Sequence, residues 1–227
     1  MNLITFYKLS GIFIILVGIG FAISNIGIAK LFNYPSILRE PVDSILNKYQ
    51  SCGKPLKFFW MLFVLSSLML IPTSTIFYKI LNTNKTPYLI IGTSFGITAG
   101  IFYCLGLMRW VFLADTLSKA YIRENTDSKT KDTIALIFNS FHVYTGNSIG
   151  ETMGFLCMGL WISILGISII SNSIFPSVIG IIFIISGIGV ASGPLEWIGF
   201  KYVNKINKIS IKIWAVSLLV CGIILVK

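Results

Sequence analysis

Charged side chains are scarce in this sequence of 227 residues. Asp, Glu, Lys and Arg together make up 11% of the chain, whereas a typical soluble domain carries about 25%. Hydrophobic residues make up 55%, and the mean hydropathy is +0.85. A chain of this composition has too few polar residues to cover a water-soluble fold, so the sequence predicts an integral membrane protein.

The patterns that mark common catalytic and metal sites are also missing. The chain has a single histidine, His142, and neither an HExxH nor a GxSxG motif. Its four cysteines form no CxxC pair and no metal-ligand spacing with His142, so we interpret them as reduced packing or loop residues. We therefore expect no metal and no cofactor, and enzyme chemistry is an alternative rather than the first interpretation.

Acidic residues are few as well, which leaves a formal net charge of +10. Nucleic acid is one partner that such a charge attracts, but the Lys and Arg residues are scattered between apolar runs instead of clustered on one element. That distribution favours anionic lipid headgroups over nucleic acid as the partner of the basic residues.

Six long apolar runs account for most of the chain and predict an all-α membrane bundle. Each is long enough to cross a hydrocarbon core of about 30 Å at about 1.5 Å per helical residue. The 44 uncharged residues between Glu151 and Glu196 must form two spans, with a break at the turn residues 171–176. We predict one six-span domain, residues 1–227, with spans at about 9–29, 58–78, 87–113, 147–171, 174–193 and 209–226.

The first connection contains a short amphipathic pattern. Pro41 can open a helix in which Val42, Ile45, Leu46 and Tyr49 fall at i, i+3, i+4 and i+7. We predict an interfacial helix that lies on the membrane surface. A helix packed on the rest of the protein fits the same periodicity.

Two other local features have structural consequences. Pro72 lies inside span two, where it should kink the helix and free the carbonyl of Leu68, with neighbouring hydroxyls able to satisfy the opened backbone. The polar residues 125–131 predict a flexible linker, after which Asp132 begins the next helix.

The basic residues lie mainly on one side of the predicted topology. Connections one, three and five, with the span ends beside them, carry fourteen of the 18 Lys and Arg residues. The positive-inside rule then places these connections in the cytoplasm and both termini outside, in a bacterial inner membrane.

Three charges fall near this cytoplasmic boundary. Arg109 ends span three, Glu151 begins span four, and Glu196 follows span five. A charge in hydrocarbon costs at least about 2.5–3.5 kcal/mol, so each must be neutral, paired or near the headgroups. We predict that Arg109 is the counter-ion of Glu151, with Glu196 sharing the site.

Polar residues precede Glu151 on the same predicted helix. Tyr144, Asn147 and Ser148 form a stripe with Glu151 at i, i+3, i+4 and i+7. His142 lies nine residues before Glu151, which on a continuous α-helix puts the two side chains on opposite faces and argues against a direct pair.

Glycines recur at every fourth position in spans three and four, a spacing that lets membrane helices approach closely. We predict that the two spans pack through these glycines, with Gly96 and Gly150 at the centres of the two runs. The runs are Gly92, Gly96 and Gly100, and Gly146, Gly150 and Gly154.

Several strings together resemble an uncharacterised bacterial multi-pass membrane family, domain of unknown function 4386. They are YPSILREP (34–41), GKPLKFFW (53–60), LGLMRW (105–110), HVYTGNSIGETMG (142–154), GPLEWIG (193–199) and the closing IWAVSLLVCGIIL. The resemblance spans nearly the whole chain and implies an all-helical inner-membrane fold. It implies no activity.

Three functions are compatible with these features. The first is a structural role, in which Arg109, Glu151 and Glu196 form an ion-pair network that fixes helix register. The second is binding or transport of a small polar or amphipathic ligand, or of protons, through a cytoplasm-facing cavity. The third is an intramembrane enzyme with Glu151 or His142 as acid or base.

Overall fold

The structure is a computed structural model that describes residues 2–227, and within that range it is built from helices without strands. Its α-helices are α1 (Leu3–Phe32), α2 (Val42–Leu68), α3 (Leu70–Leu81), α4 (Leu89–Val111), α5 (Leu113–Tyr121), α6 (Ser128–Phe141), α7 (Gly154–Ile170), α8 (Ser177–Ala191) and α9 (Val203–Val226). A π-helix (His142–Met153) joins α6 to α7, and two 3₁₀ helices occupy Ser36–Arg39 and Gly193–Ile198.

Six helical runs are long and apolar enough to cross a membrane, which confirms the predicted all-α architecture of a multi-pass membrane protein. The runs are Leu3–Phe32, Val42–Leu81, Leu89–Tyr121, Ser128–Ile170, Ser177–Ile198 and Val203–Val226. The second, third and fourth have 40, 33 and 43 residues. At about 1.5 Å per residue they exceed the hydrocarbon core of about 30 Å, so these helices extend well beyond the predicted spans.

The helix predicted in the first connection begins at Val42, directly after Pro41. Its apolar residues Ile45, Leu46 and Tyr49 are buried against other parts of the protein. This face of the helix packs on the protein, as the second interpretation predicted, and its position relative to the membrane surface stays a prediction. The helix runs toward span two and is interrupted at Gly53, whose φ of 60° and ψ of −147° are not helical.

The predicted linker is shorter than expected, because α6 begins at Ser128 instead of Asp132. The side chain of Asp127 accepts a hydrogen bond of 2.7 Å from the backbone N–H of Thr130, which caps the helix four residues earlier than predicted. This bond lowers the pKa of the exposed Asp127 carboxyl below its usual value.

The break at Pro72 lies close to where the sequence placed it, since α2 ends at Leu68 and α3 begins at Leu70. The hydroxyl of Thr73 donates to the Met69 carbonyl at 2.7 Å, and that of Ser74 to the Leu70 carbonyl at 3.0 Å. Each hydroxyl gives a carbonyl near the break a second hydrogen bond, and neither of them donates to the carbonyl of Leu68.

The helices pack around two apolar clusters. One lies in the middle of the bundle and includes Trp161 and Trp214, whose ring centroids are 6.2 Å apart. The other includes Trp60 and Trp110, which stack at 4.9 Å with an interplanar angle of 8°. Contacts pair α7 with α8, α1 with α9, and α4 with both α7 and the π-helix.

Connections one, three and five meet at one end of the bundle, which we call the basic end. It comprises residues 30–57, 109–131 and 193–212. Lys57 of α2 pairs with Asp115 of α5 at 3.0 Å, and Arg39 of the first connection pairs with Glu196 of the fifth at 2.5 Å. These ion pairs show that the three connections belong to the same end.

Candidate functional site at the basic end

An aromatic cluster at the basic end holds the only histidine. His142 is 8% exposed, stacks on Phe138 at 5.7 Å and meets Trp110 edge-on at 5.9 Å. Its buried Nδ1 has no hydrogen-bond partner among residues 2–227. The imidazole therefore packs as an aromatic ring beside Trp110, the residue that follows Arg109.

The side chain of Arg109 lies between α4 and the π-helix and contacts no carboxylate among residues 2–227. One terminal nitrogen donates to the carbonyl of Gly106, and Cζ lies 5.1 Å from the centroid of the Trp110 ring. The other terminal nitrogen lies against Gly146, where a Cβ atom would collide with the guanidinium. Nε is buried and has no hydrogen-bond partner in the described residues.

Arg109 and Glu151 are close enough to interact electrostatically. Within residues 2–227, however, no nitrogen of Arg109 lies within 4.0 Å of a carboxylate oxygen. The two side chains therefore face the same region without the direct ion pair that the sequence suggested.

Glu196 has a different partner from the one predicted. Its Oε1 accepts hydrogen bonds from Arg39 at 2.5 Å and from Asn204 Nδ2 at 2.9 Å. Arg39 also lies over the Trp197 ring, with Cζ 5.6 Å from the centroid. The two 3₁₀ helices bring these side chains together, so Glu196 ties the fifth connection to the first rather than to Arg109.

Two tyrosines that the sequence analysis did not select lie near Glu151. Burial raises the pKa of Tyr34 to about 12. The Glu151 carboxylate adds to this rise, and the Arg109 guanidinium opposes it. Tyr103 lies within electrostatic reach of Tyr34 and Glu151, and its ring packs against Gly154. Tyr34 opens the first string of the family resemblance, which is the only sequence signal that pointed to it.

The π-helix changes which residues share a face. Its hydrogen bonds span five residues instead of four, and the hydroxyl of Thr152 follows this spacing by donating to the Asn147 carbonyl at 2.8 Å. Tyr144 is 65% exposed and Ser148 is exposed, whereas Asn147 and Glu151 are partly buried. The predicted polar stripe assumed α-helical periodicity, and the structure places Tyr144 and Ser148 away from the buried part of the cluster.

Spans three and four are packed together, but not through two facing runs of glycine. A Cβ atom on Gly106 would lie 2.9 Å from the Cα atom of Gly150, and this is the close backbone approach. Gly106 is outside the run that the sequence analysis selected. The other glycines face side chains: Gly92 faces Ile164, Gly96 faces Ser74 and Trp161, Gly100 faces Ile71 and the Ser67 carbonyl, Gly146 faces Arg109, and Gly154 faces Tyr103.

Arg109, Glu151, Tyr34 and Tyr103 thus form a partly buried group that we call the polar cluster. It offers a cation with an unused donor, a carboxylate and two phenols inside largely apolar surroundings. Such a group can bind a molecule that carries both an anionic and a hydrogen-bond-donating group.

The chain matches one family model, described as Domain of unknown function (DUF4386), over residues 9–226. No significant match is found among curated proteins or among solved structures.

Proposed function

Because the chain belongs to the DUF4386 family, whose description gives no activity, we propose a function from the geometry of the polar cluster: the protein binds a small polar or amphipathic ligand there. The observation that carries the proposal is Arg109, a partly buried side chain in a membrane span. Among residues 2–227 its buried Nε has no hydrogen-bond partner and its guanidinium contacts no carboxylate. Ionisable residues inside membrane spans mark ligand or ion pathways unless a partner accounts for them.

The chemistry of the polar cluster defines the class of ligand. The guanidinium of Arg109 suits a carboxylate or phosphate, since charge-assisted bonds to these groups are strong in apolar surroundings. The Glu151 carboxylate and the Tyr34 and Tyr103 hydroxyls suit an ammonium or hydroxyl group on the same molecule. A zwitterionic amphiphile or a small polar zwitterion fits this combination best.

The π-helix supports the same conclusion by an independent route. Long π-helical segments are rare, and π-helical turns occur frequently at functional sites. Here the segment covers His142–Met153, which includes Glu151 and the glycine that makes space for Arg109. An α-helix of the same sequence would rotate these positions relative to α4.

The orientation in the membrane is part of the proposal. The basic end carries most of the Lys and Arg residues, so the positive-inside rule supports placing it in the cytoplasm of a bacterial cell, with both termini outside the inner membrane. The polar cluster would then be reached from the cytoplasmic side, and the lysines around it would lie among anionic headgroups.

Ligand-induced thermal stabilisation of the detergent-solubilised protein tests the proposal. The probes are glycine, dihexanoyl phosphatidylethanolamine and dihexanoyl phosphatidylglycerol. A ligand at 100 times its Kd stabilises by about 2.7 kcal/mol, which gives a measurable rise in Tm. We expect at least one zwitterionic probe to raise Tm in the unmodified protein and to lose this effect in Glu151→Gln and Arg109→Lys.

The control is Lys79→Met, which removes an exposed charge of α3 far along the chain from the polar cluster. It should keep the full shift. Arg109→Lys retains the positive charge, so it separates loss of binding from loss of folding. If no probe shifts Tm, or if the shift survives in both cluster variants, the polar cluster is not a ligand site of this class.

A further inference from the structure

A cavity of about 370 Å³, separate from the polar cluster, opens at the basic end between α2 and α5. Its lining includes Gln50, Gly53, Lys54, Lys57, Asp115 and Lys119. Known small-molecule sites have volumes of about 300–1,000 Å³, so its size is sufficient for a ligand headgroup. None of these residues belongs to the polar cluster, and the inference below does not depend on the function proposed for it.

Positive charge dominates the lining of this cavity. Lys57 Nζ and Lys119 Nζ lie 3.0 Å and 2.9 Å from the same oxygen of Asp115, Oδ2. Lys54 forms no ion pair within residues 2–227. One carboxylate therefore faces three ammonium groups, which leaves an excess of two positive charges in a concave site.

Neutral groups of the lining fit an anion as well. The hydroxyl of Ser118 donates to Gln50 Oε1 at 3.2 Å, which fixes the amide and leaves its nitrogen as a hydrogen-bond donor. Lys57 also lies over the ring of Phe112, with Nζ 5.9 Å from the centroid, so its position is defined by two contacts.

The backbone break at Gly53 lies in the wall of the cavity. Its φ of 60° and ψ of −147° lie near a region that is almost restricted to glycine, and a Cβ atom there would meet nothing within 4 Å. The helix therefore changes direction beside Lys54 without placing a side chain in the cavity.

From this geometry we propose that the cavity binds the phosphate group of an anionic phospholipid. The phosphodiester of such a lipid carries one negative charge, which offsets part of the excess of two positive charges, and basic pockets at the ends of membrane helices bind such headgroups. The lining residues lie just outside the predicted spans 58–78 and 87–113, so the predicted topology places the cavity at the depth of the headgroups. A free phosphate ester shares this chemistry, and the experiment below separates the two sources.

Native mass spectrometry of the full chain in detergent, titrated with dioleoyl phosphatidylglycerol or dioleoyl phosphatidylcholine, tests the site. The test variant is Lys54→Gln/Lys119→Gln, which leaves Asp115 paired with Lys57. The matched control is Lys129→Gln/Lys205→Gln, which removes the same charge from exposed positions outside the cavity. Each lysine near an anionic surface contributes about 1 kcal/mol, so Kd for phosphatidylglycerol should rise about thirtyfold in the test variant.

The control should change Kd by less than about threefold, and phosphatidylcholine should bind weakly to all forms. Lys54→Arg/Lys119→Arg should restore binding, which shows that a loss in the glutamine variant is not a folding defect. Equal losses in the test and control variants would mean diffuse attraction to the basic end and would overturn the site. Competition by glycerol 3-phosphate at equal concentration would identify a soluble phosphate ester, instead of a lipid, as the ligand.

Discussion

At the scale of single residues, Arg109 is the least conventional feature of the molecule. Its charge is balanced by a carbonyl, an aromatic face and the nearby field of Glu151, not by a contacting carboxylate. A guanidinium is weakly hydrated and planar, so it tolerates such surroundings better than an ammonium group does. A charged Glu151, or an anionic group bound near Arg109, stabilises this arrangement.

The two charges should therefore be energetically coupled although they do not touch. Arg109→Met and Glu151→Gln are each expected to destabilise the protein, because each leaves the other residue without its compensating charge. The double variant should lose less than the sum of the single losses, by about 1 kcal/mol. SDS titration from mixed micelles measures the three free energies of unfolding. Strict additivity would show that the residues act independently.

The pair between Arg39 and Glu196 should behave differently, because the two side chains are 54% and 21% exposed. Exposed ion pairs contribute about 0–1 kcal/mol, since solvent screens them and ordering the side chains costs entropy. A double-mutant cycle with Arg39→Met and Glu196→Gln should give a coupling below about 1 kcal/mol that falls further in 0.5 M salt. A coupling of several kcal/mol would mean that this contact is shielded from water in the membrane.

At the scale of the elements, the contact between α4 and the π-helix decides the geometry of the polar cluster. Gly106 and Gly150 let the two backbones touch, and Gly146 leaves room for the guanidinium. The packing therefore depends on small residues on both helices, of which Gly106 lies outside the four-residue run selected in span three.

Gly106→Ala should disrupt this contact. Its Cβ atom would lie 2.9 Å from the Cα atom of Gly150 and 3.1 Å from the Thr145 carbonyl oxygen, and both are backbone atoms that cannot rotate away. Overpacking of this kind costs about 1–3 kcal/mol. Gly18→Ala is the control, because its Cβ would meet only the mobile side chain of Leu219. Equal unfolding free energies for the two variants would contradict the packing.

The break in α2 at Gly53 leads to a second prediction. Gly53→Ala forces an L-residue into a conformation that favours glycine, with an expected cost of about 1–3 kcal/mol. No steric clash contributes, because the Cβ atom would have open space. Ser51→Ala, an exposed change two residues away, should alter stability by less than about 0.5 kcal/mol. Thermal unfolding of both variants decides between a strained break and a helix that can simply straighten.

At the scale of the whole molecule, charge is distributed between the two ends very unequally. The end opposite the basic end carries only Lys8, Lys79, Lys85 and Lys227. The helices also extend farthest beyond the predicted spans at the basic end. This end therefore contains most of the helical residues outside the spans and most of the charged residues. Both the polar cluster and the lysine-lined cavity are found there.

Accessibility of single cysteines tests the proposed orientation. In a variant without the four native cysteines, Ser128→Cys should react with a membrane-impermeant maleimide only after the membrane is opened. Asn84→Cys should react in intact spheroplasts, because it lies in the connection on the other side. Both positions are exposed, so reactivity reports the side of the membrane rather than burial. Labelling of both from outside would refute the orientation.

Two residues of the candidate site could be selected from the sequence, but the contacts within the site could not be predicted from it. The scarcity of charge was enough to single out Arg109 and Glu151. The partner of Glu196 was not predictable, because Arg39 lies 157 positions away and reaches it only through two 3₁₀ helices. Tyr34 and Tyr103 were missed because an isolated tyrosine in or near an apolar run resembles an ordinary interfacial residue.

Composition and the lengths of the apolar runs determined the class, the number of spans and the breaks between them. The physical reason is that a backbone in hydrocarbon must satisfy its own hydrogen bonds, so apolar length translates directly into helices. Only the tertiary structure decided that Val42–Leu68 packs on the protein and that Gly106 meets Gly150. The periodicity of residues 42–49 fitted both placements of that helix, and the contact of Gly106 with Gly150 depends on the axial register of α4 against the π-helix, which neither helix specifies alone.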